Sequence, residues 1–115
     1  VDELRRVLVV GGASDTATVL KAVLEPRGTT VERTRGSQNP SWTPAGRAPE
    51  VVVIELDAEH DAEVAAARWN TSNRILIGSE APDSIASDER FLAKPFQFPE
   101  LVRVVEDLLN RAPAA

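Results

Sequence analysis

Few residues in this chain have side chains or backbone suited to a site, and each directly follows a short apolar run. Gly11-Gly12 follows Val7-Leu8-Val9-Val10, and Glu55 follows Val51-Val52-Val53-Ile54. Gly78-Ser79 follows Ile75-Leu76-Ile77, and Lys94-Pro95 follows Phe91-Leu92-Ala93. If these runs are parallel strands, a carboxylate, a hydroxyl and an ammonium meet on one sheet edge. Open α/β sheets hold their ligands there, beyond the carboxyl ends of the strands. The set contains no evident nucleophile–base pair, so its chemistry is the holding of charge rather than the breaking of bonds.

Two other features invite sharper readings. Gly11-Gly12 could seat an anion at a helix N-terminus. No Gly-x-Gly-x-x-Gly or P-loop spacing follows, however, and no lysine stands where a Walker motif needs one, so a tight turn is the better reading. His60, the only histidine, lies beside Asp57, Glu59 and Asp61. Without a second imidazole or a thiolate, that group reads as a solvated acidic loop. No metal and no cofactor is expected.

The elements that must position these residues follow from pattern. Continuous apolar runs such as 7–10, 51–54 and 75–77 are the mark of strands covered on both faces, as inside a parallel sheet. Ser14 or Asp15 can cap a helix over 16–27, whose Val19, Leu20, Val23 and Leu24 share a face and which Pro26 and Gly28 end. Thr29 to Thr34 alternates weakly and reads as an edge strand. Gly36 to Pro49 is punctuated by proline and glycine and cannot hold a normal helix. It should be among the most mobile parts of the chain, with Trp42 pinning it to the body. A helix is expected over Asp61–Asn70, including Trp69. Pro82 to Arg90 has room for one or two helical turns around Ile85. Phe91-Leu92-Ala93 is a short last strand, and Pro99 opens a final helix carrying Leu101, Val104, Val105, Leu108 and Leu109. Strands alternating with helices give a mostly parallel sheet covered on both faces, with all strand carboxyl ends on one edge.

Composition narrows the class. The chain has 115 residues, 43% of them hydrophobic, enough for one core and too many for a disordered chain. A net charge of −5 disfavours direct nucleic-acid binding, which needs clustered Lys and Arg. No apolar run is long enough to span a membrane. The absence of cysteine excludes disulfides and Cys-based zinc sites and fits a cytoplasmic location. A chain that begins at Val1 and contains no Met reads as a fragment of a longer protein.

Two stretches carry a family resemblance. Pro49-Glu50-Val51-Val52-Val53-Ile54-Glu55-Leu56 resembles the third strand of the receiver (CheY-like) domain of two-component response regulators, with Glu55 at the phosphoacceptor aspartate's position. Phe91-Leu92-Ala93-Lys94-Pro95-Phe96 resembles its fifth strand, with a Lys-Pro pair and an aromatic residue three positions earlier. The resemblance covers roughly Arg6 to Leu109. It implies a three-layer flavodoxin-like α/β fold with a five-stranded parallel sheet in the order 2-1-3-4-5. It also implies a receiver-like domain over 1–111, with 112–115 as a tail or the start of a linker. The second and fourth helices are expected to be reduced or lost.

The departures bear on function. The acidic pair that holds Mg²⁺ in the family falls on Gly11-Gly12, which offers no side-chain oxygen. Glu55 places its carboxylate one methylene too far out for in-line attack. The switch hydroxyl is Ser79, or absent if Gly78 takes that position. Lys94 corresponds to the charge-sensing lysine, Phe91 to the switch aromatic, and Pro95 aims the lysine into the cleft. Two readings stand for Glu55: a fixed charge imitating a phosphorylated aspartate and attracted to Lys94, or a solvated strand-end carboxylate. The expectation is a non-enzymatic, phosphorylation-independent pseudo-receiver that acts on an output domain of its parent or on a protein partner. The alternative is a sensor binding an anionic small molecule at the cleft.

Overall fold

The four apolar runs and the weakly alternating Thr29–Thr34 stretch do form strands: β1 (Arg5–Val10), β2 (Thr29–Thr34), β3 (Val51–Glu55), β4 (Asn73–Gly78) and β5 (Glu89–Ala93). The computed structural model describes residues 5–11, 14–34, 49–56, 72–81, 85, 87 and 89–111. All pairings are parallel and the sheet order is β2-β1-β3-β4-β5, the flavodoxin-like arrangement expected. β2 lies at an edge, as its weak pattern requires.

Two helices are described, α1 (Ser14–Leu24) and α2 (Phe98–Arg111). Strand alternation sorts the sheet's side chains between two faces. Val7, Val9, Val51, Val53, Ile75, Ile77 and Leu92 pack with Leu20 and Leu24 of α1 and with Leu101, Val105, Leu108 and Leu109 of α2. On the opposite face Leu8, Val10, Val52, Ile54 and Leu76 form a second cluster with Leu56 and Phe91 against it. Every residue of β3 is buried, which explains why its sequence runs apolar without alternation.

The structure revises several boundaries. α1 stops at Leu24, and Glu25–Arg27 forms a 3-10 turn with Pro26 inside it, because proline supplies no donor for another α-turn. Gly28 closes that turn at φ +93°, its N–H donating to the Glu25 carbonyl at 3.0 Å. Ser14 and Asp15 lie within the first turn of α1 rather than before it, and acidic Asp15 complements the helix dipole. β5 begins at Glu89, two residues before the apolar run. Glu89 sits opposite Arg74 in the ladder, and their side chains form a largely buried ion pair at 3.0 Å. α2 begins at Phe98, one residue before Pro99. The Gly36–Pro49 loop apart from Pro49, the Asp61–Asn70 helix, Trp42, Trp69 and His60 lie outside the described residues, as do the reductions expected of the second helix and, for the most part, of the fourth.

Candidate functional site

The alternation that builds the core also aims the site. Glu55 shares its face with Val51 and Val53, the face packed against α1. Lys94 follows β5 in step with Leu92, which lies on that face too. Glu55 and Lys94 stand two strands apart with β4 between them, and backbone bonds fix both ends. The Leu56 N–H donates to the Ile77 carbonyl at 2.7 Å, and the Lys94 N–H donates to the Gly78 carbonyl at 3.0 Å. From there the Lys94 ammonium reaches back across the end of β4 to Oε1 of Glu55 at 3.4 Å.

The burial of the pair is uneven. Glu55 is 3% exposed, whereas the Lys94 side chain is 34% exposed. A carboxylate removed from water needs hydrogen bonds or an opposite charge to remain there. Oε1 faces the ammonium, and Oε2 accepts a hydrogen bond at 3.1 Å from the hydroxyl of Thr16, itself 2% exposed. Thr16 stands in the first turn of α1, so the positive end of that helix dipole also lies near the carboxylate. The solvated reading of Glu55 is thus corrected: it is a buried acid, compensated by a cation, a hydroxyl and a helix end.

Gly11 supports the tight-turn reading. It is buried, with φ +83°, a backbone region in which an L side chain is strained, and its N–H donates to the Thr34 carbonyl at 2.8 Å. Gly12 lies outside the described residues. Ser79 is exposed, one residue beyond the last ladder position of β4. Pro95 is exposed and follows a cis peptide bond from Lys94. Phe91 is partly buried and packs on the opposite face with the Leu8 cluster, away from Glu55 and Lys94. The structure therefore joins Glu55 to Lys94 and leaves Phe91 on the other side of the sheet.

Thr16 escaped the sequence reading. Its signal was available: Thr16, Leu20 and Leu24 are spaced by four, so a hydroxyl heads a stripe that is otherwise apolar and core-facing. Such a position needs a buried polar partner. Among the described residues no group of three or more acids or histidines could hold a metal ion.

No protein-family model matches the chain, and no curated protein matches it. Solved structures do. The signal receiver domain of an HD domain-containing protein from Pseudomonas fluorescens Pf-5 is 22% identical, with a TM-score of 0.71 over 97% of this chain and 91% of that one. A two-component response regulator from Clostridium difficile is 17% identical, with a TM-score of 0.68 over 93% of this chain and 97% of the other. The signal receiver domain of a signal transduction histidine kinase from Syntrophus aciditrophicus is 18% identical, with a TM-score of 0.68 and coverage of 96% and 94%. At these identities the likeness is one of fold, and it agrees with the strand order β2-β1-β3-β4-β5. The chain has the fold of a response-regulator receiver domain.

Proposed function

We propose that this chain is a phosphorylation-independent signalling module that acts by protein–protein contact, on an output domain of its parent or on a separate partner. One observation carries the reading: Glu55, which the family resemblance sets at the phosphoacceptor position, is buried at its strand end and already in contact with Lys94, which the same resemblance makes the charge-sensing lysine. A phosphoryl group would have to displace an ion pair that is complete without it. Gly11 adds a second obstacle, because its positive φ disfavours the carboxylate-bearing residue that a Mg²⁺ site would need. The module is read as non-enzymatic and cytoplasmic, and it needs no cofactor.

The test is incubation with acetyl phosphate and Mg²⁺, read by intact mass. The expected mass is unchanged. A gain of one phosphoryl group that maps to Glu55 overturns the proposal. In the full-length parent, Glu55→Gln should change the output while leaving the fold intact; an output indifferent to that change would remove the signalling role of the pair.

The anionic-ligand sensor remains as a second reading because the Lys94 side chain is 34% exposed at the cleft. Glu55 counts against it, since the cation is already compensated. A rise in melting temperature with inorganic phosphate that is abolished by Lys94→Met would favour the sensor over the signalling module.

A further inference from the structure

We propose that Thr16 is the positioning residue of this cleft: its hydroxyl aims Glu55 at Lys94 and so ties the first turn of α1 to the charge held between β3 and β5. The inference rests on the reading of Glu55 and Lys94 as a functional pair, and it assigns to α1 a part in holding that pair.

Three observations support it. Glutamate has one more rotatable bond than aspartate, so a single ammonium at 3.4 Å, longer than the usual span of about 2.8 Å for a charged hydrogen bond, leaves its carboxylate free to swing. Thr16 removes that freedom by holding the other oxygen at 3.1 Å. The donor is itself rigid: a β-branched side chain on a helix has few χ1 options, and both Thr16 and Glu55 are almost wholly buried. Finally, a hydroxyl carries a single proton. Within helices such a hydroxyl commonly bonds to the carbonyl four residues back, but here, at the third residue of α1, it is donated across 39 residues of sequence to Glu55. A threonine serving only helix packing has no need of that bond, and valine would fill the same space.

The consequence is mechanical coupling. A displacement of the α1 N-terminus moves the hydroxyl, releases Oε2 and loosens the Glu55–Lys94 contact. A partner that presses on α1 therefore alters the charge presented at the cleft, and a change at the cleft is felt in α1.

The experiment compares wild type, Thr16→Ser, Thr16→Val and Thr16→Ala by two readouts. The first is the NMR signal of the Lys94 ammonium protons at low temperature, visible only when exchange with water is slowed by a fixed partner. The second is a Glu55→Gln/Lys94→Met double-mutant cycle in each background. The coupling, read as a ratio of folding equilibrium constants, should be about fivefold with threonine or serine and about onefold with valine or alanine. The ammonium signal should persist with serine and vanish with valine and alanine. If Thr16→Val or Thr16→Ala keeps both the signal and the coupling and only lowers the melting temperature, Thr16 is structural and the proposal falls. A Lys94 signal unchanged by Glu55→Gln in wild type would instead show that the ion pair itself carries nothing, which sinks the functional reading independently of Thr16.

Discussion

At Glu55 a single carboxylate gathers contacts from α1 and from the end of β5, and the two partners around it can be weighed separately. Replacing Lys94 by Met leaves a buried negative charge without its cation. Removing one partner from a fully buried pair costs about 3–5 kcal/mol. Lys94 is one-third exposed, so the expected loss is smaller, about 1–2 kcal/mol, measured by urea denaturation. A neutral Lys94→Met would mean that water already does the lysine's work. Gly11 makes a different prediction. Gly11→Asp, which places an acid where the family has one, should destabilise the domain by about 1–2 kcal/mol because an L residue is forced to φ +83°. It should also create no saturable Mg²⁺ site at millimolar metal in calorimetry; tight stoichiometric binding would show the turn to be adaptable. The positions of Glu55, Lys94 and Gly11 were legible because each ends an apolar run. Thr16 was legible only as the polar head of a core-facing stripe with Leu20 and Leu24; nothing local names the distant residue that its hydroxyl meets.

At the scale of elements, β4 and β5 are joined by an ion pair as well as by a ladder. Arg74 and Glu89 face one another at the amino ends of their strands, and the Arg74 guanidinium also donates to the Ser72 carbonyl at 3.1 Å. Glu89→Gln should cost about 2–3 kcal/mol, because it removes the negative charge held 3.0 Å from the buried guanidinium, whereas the apolar pair Arg74→Met with Glu89→Leu should be close to neutral. Chevron or equilibrium denaturation of the three proteins tests this; a double variant worse than the single would mean that the pair also specifies strand register. This pair shows why one boundary was misread. Glu89 and Arg90 are charged and look like loop, and only the neighbouring strand reveals that Glu89 has a partner. The interiors of β1, β3 and β4 were readable because two-sided burial demands continuous apolar residues. The end of α1 was readable only as a region, since Pro26 ends an α-helix but permits a tighter turn.

Across the whole molecule, protection from solvent should follow strand position. Amides in the interior of β1, β3 and β4 are flanked by strands on both sides, while among the described residues β2 and β5 each pair on one side only. Native-state hydrogen exchange should therefore be slowest around Val7–Val10, Val51–Glu55 and Ile75–Ile77 and faster in β2 and β5. Equal protection of an edge strand would point to a partner laid along it. The fold could be anticipated at this scale because strand–helix alternation restricts the topology, and the family resemblance selected the strand order. The helical content between β3 and β4 lies outside the described residues.

The turn that closes on Gly28 has one more implication, which concerns handedness. A Cβ added there meets no atom within 4 Å, so the site is not crowded; the chain simply bends through a region that L residues avoid, at φ +93°. For a mirror-image amino acid that region is the ordinary one. Semisynthetic replacement of Gly28 by D-alanine should therefore preserve the turn while narrowing the conformations open to the unfolded chain, raising stability by about 0.4–1 kcal/mol. L-alanine at the same position should lower it by about 1 kcal/mol. The difference between the two would isolate chirality from size, because the side chains have the same atoms.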